Sequence, residues 1–178
     1  MYKTVVFDLD GTLLNTLTDL ADAGNRLCRK YGWPTHERQA YRYFVGNGIP
    51  KLVERLAPAD QRTPAVLEAA LADFKRDYGQ HLRDTTAPYP GIPEMLAKLK
   101  ANGVQLAVFS NKADALAKEV VKDYFGTRYF TIVRGQMTGV APKPAAEGTN
   151  ALLQALHADP ASTLYVGDSN VDVETAHN

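Results

Sequence analysis

Apolar positions fall in four short, uninterrupted runs set among stretches of helical spacing. The runs are Thr4-Val5-Val6-Phe7, Gln105-Leu106-Ala107-Val108-Phe109, Phe130-Thr131-Ile132-Val133 and Thr163-Leu164-Tyr165-Val166. Such runs suit strands buried on both faces of a parallel sheet. Ile92 to Ala101 reads as a helix, with Pro93 near its start and Gly103 just past its end. Ala113 to Tyr124 and Glu147 to Leu156 read as the next two helices. Strand alternating with helix predicts an α/β fold, a mostly parallel sheet with right-handed crossovers.

The stretch between the first two runs, Asn15 to Pro90, is too long for one crossover. It is also too periodic for a loop. Leu17, Leu20, Ala21, Leu27, Cys28 and Tyr31 recur at helical spacing, as do Leu67, Ala70, Leu71, Phe74, Tyr78 and Leu82. The pattern predicts an inserted all-helical domain over residues 15–90, with residues 1–14 and 91–178 forming the α/β domain. Linkers are expected near Leu14–Thr16 and Ala87–Gly91.

Composition narrows the function classes. Of 178 residues, 20 are Lys or Arg and 20 are Asp or Glu, so the formal net charge is zero. A protein held on nucleic acid by phosphate contacts should show a basic excess, so no nucleic-acid partner is expected. One cysteine, Cys28, excludes an internal disulfide framework or a multi-cysteine metal site. No apolar run approaches the roughly 18 residues of a membrane span. These features predict a cytoplasmic protein with no membrane partner, a monomer or homodimer.

Candidate chemistry sits where the strand-like runs end. Asp8-Leu9-Asp10-Gly11-Thr12 follows the first run, so two carboxylates at i and i+2 point the same way. Open α/β sheets place ligands at that carboxyl edge. Close carboxylates need a cation or an acid–base role to offset their repulsion. Gly11 is expected to turn the backbone so that N–H groups face an anion. Ser110-Asn111 ends the second run, Lys143 lies in a loop after the third, and Gly167-Asp168-Ser169-Asn170-Val171-Asp172 follows the fourth. Asp168 and Asp172, at i and i+4, would share a helical face. Carboxylate oxygens suit Mg²⁺, and a lysine with a hydroxyl beside them suits a phosphate.

Those four motifs, in this order over Tyr2 to Asn178, resemble the haloacid dehalogenase-like superfamily of aspartate-nucleophile phosphotransferases. The inserted segment resembles the helical cap of the subgroup that includes phosphoglycolate phosphatases and β-phosphoglucomutases. Val45-Gly46-Asn47-Gly48 and Ala87-Pro88-Tyr89-Pro90-Gly91 look most like phosphoglycolate phosphatases. The resemblance implies a Rossmann-like three-layer core with an inserted all-helical cap. It also implies a Mg²⁺-dependent phosphatase acting on a small phosphorylated metabolite such as 2-phosphoglycolate. Asp8 would form an aspartyl-phosphate, and Asp10 would act as general acid and then base. Mg²⁺ would be held by Asp8, the Asp10 carbonyl and Asp168, with Asp172 behind them. Ser110 and the Asn111 amide would bind phosphate oxygens, with Thr12 beside them, and Lys143 would neutralise Asp8 and the phosphoryl group. In the cap, Asn47 and Gly48 would meet substrate. Family members usually continue with a further helix, strand and helix, so the resemblance implies a chain truncated at Asn178.

The same residues admit other readings. A sugar-phosphate mutase shares the same core, and a fragment lacking that C-terminal segment would be inactive. A haloacid dehalogenase needs neither Asp10 nor the carboxylate-rich fourth motif. Taken singly, Ser110-Asn111 reads as a helix N-cap, Lys112 as a solvated helix start, and Lys51 and Arg55 as solvated surface. Cys28 and Trp33 read as packing, and the four histidines lack ligand spacing.

Overall fold

The computed structural model describes residues 2–178. In chain order, β1 (Thr4–Phe7) and β2 (Leu14–Asn15) precede helices α1 (Leu17–Tyr31), α2 (Tyr41–Phe44), α3 (Ile49–Leu56) and α4 (Pro64–His81). Then come β3 (Ala87–Pro88), α5 (Ile92–Ala101), β4 (Gln105–Ala113), α6 (Asp114–Phe125), β5 (Ile132–Gln136), α7 (Ala146–Leu156), β6 (Thr163–Val166) and α8 (Asn170–His177). Two compact units divide the chain: Met1–Leu14 with Pro88–Asn178, and Asn15–Ala87. Strands β2 and β3 pair where the chain passes from one to the other. Residues 88–90 lie with the sheet unit, where the Tyr89 N–H donates to the Leu13 carbonyl at 3.2 Å.

The first unit is α/β. Its sheet runs β5-β4-β1-β6, and every pairing is parallel. The chain builds outward from β1 through β4 to β5, then returns to β6 on the other side of β1. Strand order therefore reverses at β1, which is where an open α/β sheet leaves a crevice. Val6, Ala107 and Phe109 pack on Leu152 and Leu156 of α7, with Ile132 and Tyr165 beside them. Val5, Phe7, Leu106 and Val108, the alternate positions, are equally buried. Both faces of the sheet are thus covered, which accounts for strands that are apolar at every position. Gly148 in α7 permits the contact: a Cβ there would lie 2.5 Å from the Phe109 ring.

Two elements differ from the sequence expectation. The third strand occupies Ile132–Gln136 rather than residues 130–133. Phe130 packs edge-on against Phe125 at the end of α6, with centroids 5.9 Å apart, instead of entering the ladder. The second strand runs on through Ser110, Asn111 and Lys112 to Ala113. Ser110-Asn111 is therefore strand, not a helix N-cap, because Ala113 pairs with Gln136 of β5.

The second unit is helical. Leu20, Leu27 and Cys28 of α1, Tyr41 of α2, Leu52 and Leu56 of α3, and Phe74 and Tyr78 of α4 are among its buried side chains. The Asp19 carboxylate is buried at the start of α1. It accepts from the N–H and hydroxyl of both Thr85 and Thr86, at 2.5–2.9 Å. No helix among the described residues is long and apolar enough to cross a membrane.

Candidate active site

Asp8 is the first residue beyond β1, and its N–H donates to the Val166 carbonyl of β6 at 2.9 Å, extending the ladder by one step. The chain then turns sharply: Thr12, Leu13 and Leu14 N–H groups all donate to the Leu9 carbonyl, and Gly11 N–H donates to the Leu14 carbonyl. These amides close the turn on itself, and the Gly11 and Thr12 N–H groups are engaged within it. Glycine allows the tight turn the sequence implies. Gly11 has φ +88°, and a Cβ there would sit 2.4 Å from an Asp168 carboxylate oxygen. The Thr12 hydroxyl donates to Asp168 Oδ1 at 3.1 Å.

Lys143 is the centre of the cluster. Its side chain is 1% exposed, and Nζ lies 2.9 Å from Asp8 Oδ1 and 2.8 Å from Asp172 Oδ1. The ammonium also donates to the Tyr165 hydroxyl at 2.9 Å. Asp172 is fully engaged: Oδ1 receives Lys143 and Tyr165, and Oδ2 accepts from the N–H and hydroxyl of Ser169 at 3.0 and 2.6 Å. This is a capping box at the start of α8. Asp168 precedes that helix, so the N-cap turn brings it near Asp172, not a shared helical face.

Burial, opposed by the Lys143 charge and reinforced by Asp172 and Asp10, pushes the Asp8 carboxyl up to about 6. Burial works the same way on Asp172, but there Lys143 and Ser169 win and the carboxyl falls below its ordinary value. Desolvation disfavours the Lys143 ammonium, yet Asp8, Tyr165 and Asp172 hold it firmly protonated. Partial desolvation raises Asp168. Carboxylate oxygens of Asp8, Asp168 and Asp172 come within 4.8 Å of one another. Asp8 Oδ1 is buried without an aligned hydrogen bond; its contact with Lys143 is an ion pair. The oxygen donors of Asp8, Asp168 and Asp172, gathered this closely, suit a hard divalent cation.

The end of β4 supplies the second side. Ser110 is buried, and its Oγ accepts from the Lys112 N–H at 3.2 Å. The Asn111 side chain grips the lysine loop: Oδ1 accepts from Lys143 N–H at 2.8 Å, and Nδ2 donates to the Lys143 carbonyl at 3.1 Å. Its side-chain amide thus orients Lys143. Lys112 is not a solvated helix start. Its side chain is 3% exposed, and Nζ lies 3.1 Å from Asp10 Oδ1.

A family model described as haloacid dehalogenase-like hydrolase matches residues 5–178. The chain is a haloacid dehalogenase-like hydrolase. It is 32% identical over 177 residues to a phosphoglycolate phosphatase of Thiobacillus denitrificans, covering 98% of this chain and 78% of that one. A phosphoglycolate phosphatase of Neisseria meningitidis is 33% identical, with 98% and 75% covered. The crystal structure of a proposed phosphoglycolate phosphatase from Lactobacillus delbrueckii subsp. bulgaricus superposes with a TM-score of 0.93 at 29% identity, covering 99% of this chain and 82% of that one.

In the hydrolase, Asp8, Asp10, Thr12, Ser110, Asn111, Lys143, Asp168 and Asp172 all belong to the α/β unit. Asn47 and Gly48 belong to the helical unit. There Arg55 is not solvated surface: it donates to the Phe44 carbonyl at 2.8 Å and to Asn47 Oδ1 at 2.9 Å, bracing the 45–48 loop. Lys51 pairs with Glu54 at 2.8 Å. Sequence reasoning missed two residues of the cluster. In the sequence Tyr165 shows only as part of an apolar run, although its hydroxyl meets both Lys143 and Asp172. Lys112 carried a signal in its adjacency to Ser110-Asn111, outweighed by the general preference of lysine for solvent.

Proposed function

We propose that this hydrolase is a Mg²⁺-dependent phosphatase of a small phosphorylated metabolite, with 2-phosphoglycolate the first candidate. The observation that carries the reading is the buried Lys143 bridging Asp8 and Asp172 at 2.9 and 2.8 Å. A permanently charged ammonium against a nucleophilic carboxylate is the arrangement a phosphoryl transfer needs, because it offsets the charge of an incoming phosphate. The names of the relatives, at 32% and 33% identity, support the same substrate class.

In this mechanism an Asp8 oxygen bonds to phosphorus as the ester P–O bond breaks. Asp10 gives its proton to the departing oxygen and is left as carboxylate. Asp10 then takes a proton from water, whose oxygen attacks the aspartyl-phosphate and releases Asp8 and inorganic phosphate. Asp8 must be anionic to attack, and Lys143 opposes the burial that would keep it protonated. Ser110 would donate to a phosphate oxygen. Asp8, Asp168 and the Asp10 carbonyl would hold Mg²⁺, with Asp172 locking Lys143 behind them. When bound, the cation would withdraw charge from the transferring phosphoryl group.

The test is phosphate release from a panel of phosphorylated metabolites that includes 2-phosphoglycolate, with Mg²⁺ and with EDTA. Release that requires Mg²⁺ is expected. Undiminished release in EDTA, or undiminished release by Asp8→Asn, would overturn the mechanism.

A further inference from the structure

The feature the proposed chemistry leaves unexplained is a second buried lysine. Lys112 Nζ donates to both oxygens of Asp10, at 3.1 and 3.3 Å. Its side chain is 3% exposed, whereas that of Asp10 is 23% exposed. Removing an ammonium from water costs several kcal/mol, so a lysine is buried here at the expense of stability unless its contact serves another end.

The backbone is arranged to bring it there. Phe109 of β4 faces Arg134 of β5, but Ala113 already faces Gln136, so β4 carries extra residues over Ser110–Lys112 and its register shifts. Such irregularities re-aim side chains beside functional sites. Gly135 makes the shift possible. A Cβ there would lie 2.5 Å from the Lys112 carbonyl oxygen and from Asp114 Cα. The Gly135 N–H fastens the crossing by donating to Asp114 Oδ1 at 3.0 Å. The Lys112 N–H is held in turn by Ser110 Oγ at 3.2 Å. Two strands, a glycine and an aspartate cooperate to present one ammonium to one carboxylate.

We propose that Lys112 is a positioning residue for Asp10. Its ammonium spans both carboxylate oxygens and so fixes the rotation of the group. This inference rests on the phosphatase reading, in which Asp10 serves first the departing oxygen and then water. A proton-transfer group must be aimed to be effective, and Asp10, at the open end of a turn, has Lys112 as the buried anchor that aims it. In this role Lys112 acts through Asp10.

The experiment compares Lys112→Met, Lys112→Arg, Asp10→Asn and the Asp10→Asn/Lys112→Met double variant in the full chain with Mg²⁺. Two substrates are used: an alkyl phosphate, whose leaving oxygen needs a proton, and p-nitrophenyl phosphate, whose leaving group does not. Lys112→Met should lower kcat on the alkyl ester about 10- to 100-fold, within the usual general-acid contribution of about 10²–10⁴. It should lower kcat on the aryl ester less than about threefold, leave KM unchanged on both, and cost nothing further in the double variant. Lys112→Arg, which keeps the charge, should recover most of the loss and covers the case of a Met variant that fails to fold. Equal losses on both esters, a change in KM alone, or additive losses in the double variant would overturn the proposal. If the unsubstituted chain releases no phosphate, it is the phosphatase reading that fails. Crystal structures of the Lys112 variants then decide the positioning role: a rotated Asp10 carboxylate supports it, and an unmoved one overturns it.

Discussion

Asn111 and Lys143, 32 residues apart in sequence, are joined side chain to main chain by two reciprocal hydrogen bonds of 2.8 and 3.1 Å. The amide reads the backbone of the lysine loop much as a strand neighbour would. It couples the end of β4 to the residue whose ammonium pairs with Asp8. Asn111→Ala leaves the Lys143 N–H and carbonyl without this partner and should cost about 1–3 kcal/mol. Turnover should fall with it, because Lys143 loses its placement. Urea denaturation and steady-state kinetics check this. An unchanged midpoint with wild-type kcat would show that other contacts suffice.

Lys143→Met removes the counter-charge from two buried carboxylates. Removing one partner of a buried pair costs about 3–5 kcal/mol, so a large fall in Tm is expected together with loss of turnover. A variant within about 1 kcal/mol of wild type would mean that water or protonation compensates at no cost.

Asp8 gives the metal-free protein a specific pH dependence. Its folded carboxyl is raised to about 6, chiefly by burial, against about 3.9 in an unfolded chain. The folded state therefore holds this proton more tightly. The contribution to stability is complete below about pH 4 and is lost as pH rises through about 6. Asp172, lowered in the folded state, acts in the opposite sense and below that window. In EDTA, the Tm of Asp8→Asn relative to wild type should rise across this range. A constant difference would remove burial as the dominant influence on Asp8.

Gly11→Ala places a methyl group 2.4 Å from an Asp168 carboxylate oxygen at a residue with φ +88°. The positive φ alone should cost about 1 kcal/mol, and displacement of Asp168 should weaken Mg²⁺ binding at least tenfold. Isothermal titration with Mg²⁺ reads the second effect separately from the first. Full Mg²⁺ affinity in this variant would take Asp168 out of the metal site.

Local signals determined much of this protein without help from the fold. Thr4–Phe7 and Thr163–Val166 are strands with the bounds their apolar runs imply. Ile92–Ala101 is a helix between the proline and glycine that mark its ends. The order of Asp8, Ser110, Lys143 and Asp168 along the chain was enough to suggest a shared site, because parallel strands deliver their carboxyl ends to one edge. What the sequence could not determine are the contacts made by distant partners. Ser110–Lys112 is strand and not a helix start because Ala113 pairs with Gln136 across the register shift. Lys112 is buried because Asp10, 102 residues earlier, receives its ammonium. The Gly11 and Thr12 amides are spent inside their own turn, and Tyr165 joins Lys143 to Asp172 through a hydroxyl that an apolar strand pattern conceals. Propensity and periodicity act over a few neighbouring residues. Which polar atom meets which is set by packing between strands far apart in the chain, and only the tertiary structure decides it.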